Sequence, residues 1–193
     1  MSVNLYTFVD LYTRVLDVAA HVLGKGVEHA RTRGVSEGEM LDWRLIDDMN
    51  PLRFQLMVVC NFTRQWPARV AGLPLPEPFS ADLDLAGFEA AIAEAKRYLA
   101  GLTPEQFAGR DEIPLTVDIG VMEPTHPAGR WLTVFSSTNV HFHLDMAYAI
   151  LRARGAHRQD RPLPHRPVTP MPSPAGGGRG SCARTRARRR AGP

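Results

Sequence analysis

SVNLYTFVDLYTRVLDVAAHVLGKGVEHARTR, residues 2 to 33, carries Leu5, Phe8, Tyr12, Val15, Leu16, Ala19, Leu23, Val27 and Ala30 at spacings of three and four. That period predicts a long amphipathic helix, ended by Gly34. At about 100° per residue, Arg14, Asp17, His21, Lys25 and Glu28 fall on the opposite side, so His21 is read as solvated rather than as a ligand. One apolar stripe of this length has to be covered by other elements, and the rest of the chain supplies three more helices of the same kind.

Asn50-Pro51 is a helix opening, a capping side chain followed by proline at the first turn. The stripe behind it, Leu52, Gln55, Leu56, Val59, Phe62, Thr63, Trp66 and Val70, puts one amide among core side chains, where it needs partners. Pro67 is expected to kink this helix or end it near Gln65. A turn-rich linker with Pro74, Pro76 and Pro78 leads to a third helix, capped by Ser80 or Asp82, with Leu85, Phe88, Ile92, Ala95 and Leu99 inward. The period then changes. Ile113, Leu115, Val117 and Ile119 alternate as a strand, and Trp131 to Phe135 reads as its hairpin partner. Ser136 to Asn139 supply caps for a fourth helix through Arg154, with Val140, His143, Ala147, Ile150 and Leu151 on one face. The expected fold is mainly all-α: a four-helix bundle with a small β-hairpin before the last helix. No Gly-rich phosphate loop or internal repeat is present, and a doubly wound sheet is excluded.

Composition bounds the rest. A chain of 193 residues with 44% apolar content is enough for one core and excludes a wholly disordered or collagen-like protein. Charge interrupts every apolar stretch well short of the roughly 18 residues a membrane span needs, and no export signal opens the chain, so a soluble, cytoplasmic protein is expected. Two cysteines, Cys60 and Cys182, make neither a disulfide framework nor a zinc site. The net charge of +3 hides two unlike parts: residues 158–193 hold nine Arg and one Asp, leaving 14 basic and 19 acidic residues in 1–157. The chain is read as a bundle over 1–157 and a disordered, Pro, Gly and Arg-rich tail over 158–193. Arg158-Gln159-Asp160-Arg161 can be encoded so that a one-base shift reads Gly-Lys-Thr-Asp, which marks the tail as a candidate frameshift product.

Three pieces, Asn139-Val-His-Phe-His-Leu-Asp-Met-Ala-Tyr-Ala-Ile-Leu-Arg152, Arg44-Leu-Ile-Asp-Asp-Met49 and Pro51-Leu-Arg-Phe-Gln55, resemble the domain-of-unknown-function family nineteen-ninety-three. That family looks like a branch of the DinB/YfiT-like metalloenzyme superfamily of four-helix bundles, and the similarity spans roughly residues 3 to 157. Its members usually continue past the last helix with Gly-Lys-x-Asp, the ending that the shifted frame restores. Pro67 and His141 depart from the family's habit. The resemblance implies a divalent metal held by three histidines, one on the second helix and two spaced i, i+4 on the fourth. If His143 matches the first of that pair, the second falls on Ala147, while the second helix offers Gln55, so the implied site is incomplete.

The candidate site residues follow. His143 is either a core imidazole bonded to Gln55, Tyr148 or the backbone, or a ligand-facing acid/base group and the sole metal-ligand candidate. Gln55, Tyr148 and Trp131 are candidate ligand-binding residues beside it, although Trp131, like Trp43 and Trp66, also reads as a core aromatic. Asp48 is a helix-opening charge, paired with Arg44, or a carboxylate orienting His143. His141 points about 160° away from His143 on a helix. Three functions stay open: a small-molecule-binding bundle with a degenerate metal site, a metal-dependent enzyme of the thiol transferase or isomerase type acting on a small electrophile, and a non-enzymatic interaction module. A homodimer is the expected state, with nucleic acid reached only through the basic tail and no membrane partner.

Overall fold

The computed structural model describes residues 4–156, so the readings made for the segment 158–193 lie outside the described residues. Helix α1 (Thr7–Thr32) turns the stripe read above inward: Tyr12, Leu16, Ala19 and Ala30 are completely buried. It packs against four later helices. It comes close to the last of them at Gly26, where a Cβ would lie 2.8 Å from Leu151 Cδ2. A short α2 (Glu37–Leu41), capped by the Ser36 hydroxyl, delivers Met40 and Leu41 to the core.

Helix α3 (Leu52–Ala71) runs through Pro67, contrary to the expected break near Gln65. Trp66, Ala68 and Val70 on either side of the proline are buried, and Gly72, at φ 72°, closes the helix in the left-handed region that its missing Cβ permits. Packing after the proline outweighs the lost backbone bond, a penalty of about 3 kcal/mol in an exposed helix. The proline-rich linker does not hang free. Gln65 Nε2 donates to the Pro76 carbonyl, Arg64 to that of Glu77, and Asn61 exchanges two bonds with the Phe79 backbone. Extended proline-rich backbone has no internal hydrogen bonds, so its carbonyls are open to donors on the neighbouring helix.

Helix α4 (Leu85–Ala100) is capped by Asp84, whose Oδ1 accepts the Gly87 N–H at 2.8 Å. Ser80 and Asp82, the expected caps, bond each other two residues before it. A 3-10 turn (Pro104–Phe107) then leads to the hairpin of β1 (Pro114–Thr116) and β2 (Thr125–Pro127), antiparallel, with Leu115 opposite His126. The second strand is therefore not Trp131 to Phe135. Those residues form a π-helical turn (Trp131–Ser136) between α5 (Ala128–Arg130) and α6 (Ser137–Ala153), and the three make one continuous helical run. The burial pattern explains it. Trp131, Leu132 and Ser136 are buried with Phe135 partly so, the i, i+1, i+4, i+5 face of a helix, and a five-residue apolar run cannot separate that face from a strand.

The last run lies antiparallel along α3: Trp131 stacks on Trp66 at 5.2 Å, Phe135 on Phe62 at 6.2 Å, and His143 meets Gln55. The result is a four-helix bundle with one small hairpin before the final helix. Among the described residues no helix is long and apolar enough to cross a membrane.

Candidate functional site

The polar pair lies where α3 and α6 face each other. Gln55 is 3% exposed in the first turn of α3, and its Nε2 donates to the Asn50 carbonyl at 3.0 Å. Its Oε1 lies 2.7 Å from His143 Nδ1 on α6. A carbonyl can only accept, so the bond to Asn50 fixes which end of the Gln55 amide is the donor. The oxygen is thereby turned to His143, and Nδ1 must carry the hydrogen. Burial pushes the His143 pKa below its ordinary value, which favours the neutral ring. A neutral ring protonated at Nδ1 carries its lone pair on Nε2. Among the described residues no hydrogen bond takes that nitrogen, and the residue as a whole is half-buried. Phe54 and Phe142 flank the imidazole with edge-on contacts at 5.9 and 5.2 Å, and Phe142 is half exposed. The arrangement is an oriented hydrogen-bond acceptor or base between two aromatic edges.

The other candidates lie elsewhere. Tyr148 is half-buried on α6, but five residues beyond His143 it sits about 140° further round the helix. Trp131 begins the π turn, twelve residues and roughly 18 Å of helix from His143, with its Nε1 donating to the Leu115 carbonyl at 2.8 Å. It belongs to a cluster with Trp66, Phe135 and His126 and holds the hairpin to the bundle. Asp48 is exposed in the connector, and among the described residues no hydrogen bond or ion pair joins it to His143 or Gln55. Arg44, expected beside it, donates to the Met49 carbonyl. His141 is exposed and contacts the Ser137 carbonyl through Nδ1.

By its sequence Asn50 is a candidate cap for α3. The residue at the N-cap is Pro51, without a side-chain bond, and the contribution of Asn50 is its main-chain oxygen. The two flanking phenylalanines were also missed, although each adjoins a flagged residue in the chain, Phe54 before Gln55 and Phe142 before His143.

The residues present do not fit a three-histidine metal centre. Gln55 has its amide oxygen committed to the Nδ1–H of His143, and Ala147, fully buried, has only a methyl group. Among the described residues no group of three His, Cys, Asp or Glu side chains converges as a ligand set.

Two comparisons bear on this geometry. The family model described as domain of unknown function (DUF1993) matches residues 5–157. The crystal structure of a DinB family member protein from Shewanella denitrificans is similar with a TM-score of 0.72 and 24% identity, over 84% of this chain and 94% of that one. At that identity the likeness concerns the fold. No curated protein matches the chain.

Proposed function

The chain belongs to the DUF1993 family, and from that premise we propose that it is a bundle that binds a small molecule beside His143, at the place where the DinB-like fold would carry its metal. The observation that carries this reading is the relay from the Asn50 carbonyl through the Gln55 amide to His143 Nδ1. It commits the buried amide of Gln55, itself held by a main-chain carbonyl, to orienting one ring. A core histidine needs only satisfied nitrogens, whereas this relay leaves Nε2 as an acceptor beside an exposed aromatic edge. The ligand class that suits it is a planar, largely apolar molecule bearing an O–H or N–H donor.

Phenol is a suitable probe. Titrated into nitrogen-15-labelled protein, it is expected to move the His143 Nε2 and Phe142 resonances together, with His143 in the Nδ1–H form at neutral pH. Phenol leaving both resonances unmoved, or a stoichiometric divalent metal in the purified protein, overturns the proposal. Catalysis would draw on the same nitrogen, since a neutral imidazole of this kind is a general base. Any turnover found should then vanish in His143→Gln.

A further inference from the structure

We infer that the cleft between the C-terminal end of α3 and strand β1 is a separate binding site for a small carboxylic acid with an apolar body, held through Arg69. Helix α3 carries two arginines five residues apart in opposite circumstances. Arg64 is 2% exposed and engaged through both terminal nitrogens, with Glu94 Oε1 at 2.9 Å, the Glu77 carbonyl at 2.7 Å and the Phe79 ring under its guanidinium at 3.6 Å, while its buried Nε has no partner among the described residues. Arg69 is half-buried, and its contact is the Trp66 ring at 5.2 Å. Among the described residues no hydrogen bond or ion pair takes its five N–H groups.

A guanidinium stays charged under ordinary conditions, so partial burial without an anion is a cost that its neighbours leave uncompensated. Burial alone accounts for the downward push on the Arg69 pKa, and no carboxylate opposes it. An incoming carboxylate would offset that cost through the paired geometry that a planar guanidinium offers.

The space beside Arg69 sets the rest of the ligand. A cleft of about 370 Å³ is walled by Leu73, Leu75, Leu115 and Val117, with Asp118 at its rim. Its volume suits a molecule of small-ligand size, and four aliphatic side chains favour an apolar body over a sugar or a nucleotide. Asp118 Oδ1 already accepts the Gly120 N–H at 2.7 Å, which fixes its charge at the hairpin turn. That charge repels an anion from the hairpin end and leaves Arg69 as the place for it. It also disfavours a dianion, which separates a carboxylic acid from a phosphate.

Octanoate, octanol and inorganic phosphate titrated separately into the full chain test this, read by calorimetry and by tryptophan emission, since Trp66 lies against Arg69. Saturable octanoate binding is expected, about tenfold tighter than octanol, with phosphate not competing. Arg69→Gln should remove that tenfold preference and leave octanol binding unchanged. Leu75 is 46% exposed, so Leu75→Asp disturbs little of the core, and it should abolish octanoate binding with the melting temperature intact. The inference is overturned if octanoate and octanol bind alike, if phosphate displaces octanoate, if Arg69→Gln leaves octanoate affinity unchanged, or if folded protein shows no octanoate binding at about 10 mM, near the weak limit for a specific small ligand.

Discussion

Gln55 has both polar ends of its amide in use inside the core, so its replacement tests the relay directly. Gln55→Leu keeps the volume but strands the Asn50 carbonyl and the His143 Nδ1–H. The expected loss is about 1–3 kcal/mol in urea denaturation. Nitrogen-15 shifts should show the His143 tautomer no longer fixed. The pH dependence has a definite sign. Burial holds the folded pKa of His143 below its ordinary 6.5, so the unfolded chain binds the proton more readily. The contribution is complete above pH 6.5 and is lost as pH falls through the depressed folded value. The urea midpoint of the native chain should therefore fall more steeply in that window than that of His143→Gln, and parallel curves would refute the assignment. Both residues were legible because each is a polar interruption of an otherwise apolar helical stripe, and a helix forces stripe residues inward. Asp48 was not legible: it sits in a connector, where no period says which way a side chain faces.

The element that sequence misread is held in place by a buried hydroxyl pair. Tyr12 on α1 and Ser136 at the end of the π turn lie 2.7 Å apart, oxygen to oxygen, and both are completely buried. A π turn admits one extra residue and breaks the regular ladder, so a cross-helix bond at that point fixes the distorted turn against α1. Burial raises the pKa of the Tyr12 hydroxyl far above its ordinary value, and it stays protonated as a donor. Tyr12→Phe and Ser136→Ala are each expected to cost about 1–2 kcal/mol, with the double variant costing clearly less than their sum. Additive losses in the denaturation cycle would show that the hydroxyls do not act as a pair. Taken alone, the five residues from Trp131 to Phe135 read as a strand. Read on through Val140, His143 and Leu144, the same residues continue one helical face, so the information was present over a longer window. Strand β2, by contrast, is three residues including a proline, too short and too polar to carry a period.

At the scale of the molecule, the four helices that the periodicity predicts close on themselves with the hairpin beside them. Leu5 near one end of the described residues is 3% exposed, and Ala156 at the other is fully buried. The last helix is tied back to the first by His29 Nε2, 2.9 Å from the Arg154 carbonyl, while the Ala156 N–H reaches the Leu151 carbonyl. A chain ended at residue 157 thus keeps every core side chain described. It also changes the charge, since nine arginines and one aspartate leave with residues 158–193 and the remainder carries 14 basic against 19 acidic residues. Two measurements on the shortened chain should part company. Its melting temperature should lie within about 2 °C of the full chain's, the shift expected for a change of half a kcal/mol in a unit of this size. Its retention on heparin, which depends on clustered cations and is lost with added salt, should disappear. A large fall in melting temperature would mean that the bundle draws stability from those residues, and retained heparin binding would place the basic surface on the bundle, against the acidic balance of its sequence.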